Sequence, residues 1–251
     1  MQAISREKAL AVADALFASR YAGASFCIAA GSVIRGSGAP WSDLDLVVIF
    51  DSLESAWRES FWFDGVPIEA FVHDLETIQA FLDDDHAAAH AAMIDMVATG
   101  VSIPVESERS LALKNYARGL LVNGPDKLDE AAIDDLRYSI SDLVDDLRGD
   151  RPIHEQRSIL YALYQKMGEL RLRRSTRFSA SGKHLARSLR ECDSGFAERL
   201  EGVVAQAHVH GASSESVAEL LRLLDQLGGH LFDGYRRSAP REKRKRPAWL
   251  A

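Results

Sequence analysis

The stretch AAGSVIRGSGAPWSDLDLVVIF, residues 29–50, decides how this chain is read. A glycine-serine pair, Gly31-Ser32, leads into a loop of Gly, Ser and Pro, and then Asp43 and Asp45 flank a leucine at the entry to an apolar run. Side chains two apart in a β-strand point to the same face, so both carboxylates would face one way. Neighbouring carboxylates oppose each other's ionisation unless a cation or a donor compensates. Hard oxygen ligands of this kind suit Mg²⁺, which takes one or two carboxylates together with substrate phosphates. Two structural alternatives stand beside the metal: Asp43 as a turn residue after Ser42, and Asp45 paired with an arginine at a strand end.

Glu69 offers a third acid, because it interrupts another apolar run, VPIEAFVHD, that an antiparallel or adjacent strand pairing would bring beside the aspartates. On the other side, Gly31 lets backbone approach a ligand closely, and a helix starting at SVIRG would present free N–H groups to an anion such as phosphate. Ser32 is then either a phosphate-binding hydroxyl or a helix cap. A triphosphate held there and bridged to the acids by Mg²⁺ would be open to in-line attack of a hydroxyl on its α-phosphorus, with pyrophosphate departing.

Outward from this stretch the apolar period changes once. A helix is expected over residues 5–19 behind Ser5, followed by β-prone runs ASFCIAA, DLDLVVIF and VPIEAFVHD that make residues 24–73 a small sheet. DLETIQAFLDDD and HAAAHAAMIDMVATG fit helices, with the DDD of residues 83–85 taken as preceding a helix start, and VSIPVE as a further short strand. His86 and His90, four apart, would share a helix face but lack the glutamate of a zinc-protease motif. Beyond that, Gly- and Pro-punctuated helical segments follow one another without a fixed repeat, which favours a bundle over a solenoid. The expectation is an α+β chain: a mixed-sheet domain over 1–105, an all-helical bundle over 106–235, and a basic, flexible tail over 236–251.

Residues 236–246 hold seven Lys or Arg against one Glu, a local charge of +6 in a chain of net charge −7, which leaves −13 for the rest. That balance argues against bulk adhesion to nucleic acid or anionic membrane. No apolar run approaches the length of a membrane span, and the N-terminus lacks a signal-peptide apolar block, so a cytoplasmic protein without membrane association is expected. Cys27 and Cys192 are far apart without metal-ligand spacing, as for two free thiols in a reducing compartment.

The pattern GSVIRGSGAPWSDLDL, Gly-Ser, nine residues, then Ser-Asp-x-Asp, resembles the polymerase-beta-like nucleotidyltransferase superfamily. A small sheet domain followed by a helical one is most similar to its antibiotic nucleotidyltransferases, the kind that adenylylate aminoglycosides. The resemblance implies Asp43, Asp45 and Glu69 as metal-binding and catalytic acids, with Gly31, Ser32, Arg35 and Ser42 on the nucleotide. It also implies that Lys183, in the SGKHLARSLREC segment, faces the triphosphate with Arg187 one turn on. By the same likeness the reaction moves a nucleoside monophosphate, AMP from ATP first, onto a hydroxyl of a small molecule such as an aminoglycoside, with Mg²⁺, as a monomer or homodimer. Two alternatives remain open: a protein or RNA acceptor, which the basic tail favours, and a non-catalytic nucleotide-sensing or antitoxin module of the same fold. The general base is Glu69, or Glu169 of the helical region.

Overall fold

The structure, a computed structural model, describes residues 4–247 and 249 and divides into two compact units, Met1–Asp126 and Lys127–Ala251. The first is built on a five-stranded mixed sheet in the order β3-β4-β2-β1-β5. Its strands are β1 (Phe26–Ala30), β2 (Leu44–Ile49), β3 (Trp57–Phe63), β4 (Val66–His73) and β5 (Val101–Ile103). β2 and β4 run parallel, whereas β1 pairs antiparallel with β2 and β5, and β3 antiparallel with β4.

Helix α1 (Arg6–Ala18) starts where Ser5 accepts the Lys8 N–H at 3.2 Å, and it buries Ala9, Val12, Ala13 and Leu16. These pack on one face of the sheet with Cys27, Ala29, Leu46, Val48, Ala70 and Val72. Each fully buried leucine or valine side chain contributes on the order of 1.5–3 kcal/mol. Alternation then assigns Ile28, Asp45, Val47, Ile49 and Glu69 to the other face. That face is covered over part of its extent by α3 (Leu75–Ala87) and α4 (Ala92–Thr99), which bury Ile78, Leu82, Ile94 and Val97. Helix α5 (Glu108–Asn123) packs on α4, and so the compact unit closes after Asp126 rather than near residue 105.

Strand β3 was not among the expected β-prone runs. Its side chains are exposed or half-exposed throughout WRESFWF, as befits a charged edge strand, so it lacks the apolar alternation of a core strand. The turn after it carries a local signal: Asp64-Gly65 takes φ of 48° and 72°, the left-handed pair that a two-residue hairpin needs. The helix expected over HAAAHAAM is broken at Ala89, φ 56°, so His86 lies in the last turn of α3, its Nε2 2.8 Å from the Gly124 carbonyl, and His90 lies outside both helices. The acids 83–85 likewise sit in the last turns of α3, not ahead of a helix; the N-terminus of α3 is made by Asp74, whose carboxylate accepts the Thr77 N–H at 2.8 Å.

The second unit is helical: α6 (Glu130–Asp146), α7 (Ile153–Arg174), α8 (Gly182–Cys192), α9 (Ser194–His210) and α10 (Ser214–Asp225) surround a core that includes Ile140, Leu163, Met167, Leu200 and Leu224. The segment after α10 straps back onto α6. Tyr235 stacks on Tyr138 with ring centroids 4.0 Å apart, its hydroxyl donates to Asp135 at 2.7 Å, and Arg137 Nε donates to the Gly229 carbonyl at 3.2 Å. Beyond it the described part of the basic tail is exposed up to Arg246, with a single helical turn at Arg241–Lys243, and Arg237 pairs with Asp135. No helix among the described residues is long and apolar enough to cross a membrane.

Candidate active site

Strand register assembles the acids. Asp45 on β2 lies directly beside Glu69 on the parallel strand β4 and opposite Ala30 at the end of β1. Asp43, one residue ahead of β2, shares the face of Asp45. One carboxylate oxygen from each of Asp43, Asp45 and Glu69 lies within 4.8 Å of the other two, with Asp43 exposed and the others half-buried. Oxygens opposite one another around Mg²⁺ at ~2.1 Å are ~4.2 Å apart, so small rotations of these side chains would bring all three onto one ion. The donor set, all hard oxygen, fits Mg²⁺ better than a softer metal.

Gly31 completes the cluster by what it lacks. It follows β1 directly, opens the short helix α2 (Gly31–Ile34) and has φ +84°, in the left-handed region that favours glycine. A Cβ there would run into the carboxylate of Asp45, with Asp45 Cγ only 2.9 Å away. The bare Cα is therefore what allows the Asp45 carboxylate to lie against the β1–α2 junction.

Other acids of the sheet are spent differently. Glu59, on the α1 side of β3, accepts the Tyr21 hydroxyl at 2.8 Å and pairs with Arg20, whose guanidinium holds its carboxyl below the usual range. Burial and the same Glu59 push the Tyr21 phenol upward. Glu69 has an arginine too: Arg58 Nε donates to its Oε1 at 2.7 Å, and Arg58 also lies over the Phe71 ring, 5.1 Å from its centroid. Sequence reasoning gave the arginine alternative to Asp45 and missed Arg58; the signal was the Asp64-Gly65 hairpin, which folds β3 back along β4 and brings residue 58 opposite 71, two from Glu69. Next to the acids opens a cleft of about 190 Å³ lined by Asp43, Ser60, Trp62, Pro67 and Glu69 among others, with Trp62 58% exposed.

The remaining expected residues fall in three places. Ser32 is half-buried in α2, and its carbonyl accepts the Ser37 N–H at 2.9 Å, which folds the following loop back on α2. Ser42 Oγ accepts the Ala39 N–H at 2.9 Å, closing the turn that delivers Asp43. Arg35 caps α2 and pairs with Asp95 of α4 at 2.7 Å. Lys183 and Arg187 belong to the helical unit, on α8, both exposed and in no ion pair among the described residues.

No protein-family model matches the chain, and no curated protein matches it. Among solved structures it is similar to a nucleotidyltransferase-like protein from Exiguobacterium sibiricum 255-15, 12% identical, with a TM-score of 0.44, over 86% of this chain and 73% of that one. A likeness this loose leaves the function to be argued from the residues themselves.

Proposed function

We propose that this protein catalyses Mg²⁺-dependent nucleotidyl transfer: a nucleoside monophosphate, AMP from ATP first, passes from the triphosphate to a hydroxyl of a small-molecule acceptor and pyrophosphate leaves. The observation that carries this reading is the convergence of Asp43, Asp45 and Glu69 from two parallel strands, against a glycine whose missing side chain makes room for Asp45.

In this reading Asp43 and Asp45 hold the cation, with Glu69 as third ligand or as base. When bound, the ion supplies positive charge to the α-phosphate and to the attacking and leaving oxygens. Gly31 and Ser32 face the phosphates. Glu69, bordering the cleft, takes the proton of the acceptor hydroxyl as the new O–P bond forms and the bond to pyrophosphate breaks. Arg58 fixes the orientation of Glu69 through its Oε1. The same proposal keeps Ser42 and Arg35 at the nucleotide side and Lys183 and Arg187 as cations for the triphosphate charge. Aminoglycoside-like antibiotics are the first acceptors to try. The exposed basic tail, seven Lys or Arg within residues 236–246, favours RNA as the next.

The test is a screen of the purified protein with each NTP, Mg²⁺ and a panel of hydroxylated amines, RNA and proteins, reading pyrophosphate. Acceptor-dependent pyrophosphate that falls ~100-fold or more in Asp45→Asn is expected. Mg·ATP binding with no pyrophosphate from any acceptor would replace transfer with nucleotide sensing. Full activity in a folded Asp45→Asn variant would remove the metal assignment.

A further inference from the structure

The loop from Ser32 to Asp43 joins the proposed phosphate side of the site to its metal side, and its last turn is built against the rule for its residues. Ala39-Pro40-Trp41-Ser42 closes with the Ser42 N–H donating to the Ala39 carbonyl at 3.0 Å. Proline stands at the second position and φ is +75° at the third, the arrangement of a type II turn. Such a turn takes glycine or asparagine at the third position, because a Cβ is strained there. Here that position holds Trp41.

The strain is compounded by exposure, since Trp41 is 70% exposed and gains little from burial. A bulky residue with positive φ is a genuine outlier, and such strain concentrates at ligand-holding positions. The turn itself does not need the indole: it is closed by backbone and by Ser42 Oγ, which accepts the Ala39 N–H. Nor is the turn far from the acids along the chain. Trp41 lies two residues ahead of Asp43, so their Cα atoms are at most ~7 Å apart, and upstream the loop is tied back to Ser32 by the Ser37 N–H.

We infer that Trp41 is a ring platform for the nucleotide: its indole stacks on the base of the NTP whose phosphates lie between Gly31-Ser32 and the acids. This deepens the proposed transfer reaction and rests on that reading. Stacking on an indole is tolerant of base identity, because every base presents a π-face. The site should therefore accept several NTPs, with purines ahead of pyrimidines by the area they stack.

The test is calorimetric titration of the full chain with Mg²⁺ and α,β-methylene ATP, which binds without transfer, alongside thermal unfolding. Trp41→Gly should unfold ~2–4 °C higher, because the turn gains its preferred residue, and should bind the analogue ~10-fold more weakly. Trp41→Phe keeps a ring and the turn and should stay within ~3-fold of the parent. Unchanged affinity in Trp41→Gly overturns the platform while leaving the transfer reading intact. A lower unfolding temperature in Trp41→Gly also overturns it, since the ring would then be packing. Absence of binding by the parent chain removes the transfer reading, and the platform with it.

Discussion

Replacing Gly31 by alanine probes the close approach of the β1–α2 turn to Asp45 of the acid cluster. Two costs are separable. The first is conformational: alanine at φ +84° costs ~1–2 kcal/mol. The second is steric: the new Cβ would meet the Asp45 carboxylate, with Cγ at 2.9 Å, and an overpacked contact of this kind costs ~1–3 kcal/mol. Together they predict a loss of ~2–5 kcal/mol, with Asp45 driven from its place. In an Asp45→Ala background the clashing atoms are gone, and the remaining Asp45 Cβ, at 3.4 Å, makes an ordinary contact. There Gly31→Ala should cost only the conformational ~1–2 kcal/mol. The assay is a double-mutant cycle by urea unfolding. Tryptophan fluorescence suits it, since Trp41, Trp57 and Trp62 lie in the first unit and only Trp249 lies elsewhere. A coupling of ~1–3 kcal/mol is expected. An equal cost in both backgrounds would refute the contact between Gly31 and Asp45 as the reason for the glycine.

Burial pushes the Cys27 thiol up from 9.0 to about 12. The unfolded chain ionises Cys27 from about pH 9 while the folded chain keeps the proton, so this contribution to stability is complete below pH ~9 and drains away as pH rises toward 12. Unfolding measured across that range should fall less steeply for Cys27→Ala than for the parent, and at pH 8 a thiol reagent should modify half-buried Cys192 well before Cys27; parallel pH curves would contradict the burial. Ending the chain after Arg237 should leave thermal stability within ~1 °C, because the described residues it removes are exposed or, at Pro247, half-exposed, whereas ending it after Leu227 removes the Tyr138–Tyr235 stack and the Arg137 contacts and should cost several degrees. Equal melting of the two truncations would show that the strap carries no stability.

Much of the sheet unit was legible because its signals are local. Ser5 caps α1 as its position suggested, the apolar runs of β1, β2 and β4 are core strands, and the two-residue spacing of Asp43 and Asp45 translates directly into one face of β2. The pairing that puts Glu69 beside Asp45 is parallel, and nothing local encodes it; it depends on β3 being inserted as an edge strand between β2 and β4 in sequence. β3 was hidden because an edge strand needs no continuous apolar face, and Arg58 was hidden with it. The helix expected across HAAAHAAM failed for a different reason: alanine favours helix everywhere, so a composition this rich in it cannot report the left-handed break at Ala89. The strain at Trp41 was equally out of reach, since Pro40 announces a turn but not its type.

The measurement that bears most directly on the acid cluster is Mn²⁺ binding followed by electron paramagnetic resonance, with Mg²⁺ as competitor, in the parent chain, Asp45→Asn and Glu69→Gln. Saturable binding of Mn²⁺ that Mg²⁺ displaces, weakened ~10-fold or more by Asp45→Asn and also by Glu69→Gln, is the predicted result. Binding that is absent in the parent, or equal in all three, would contradict a metal site made by Asp43, Asp45 and Glu69.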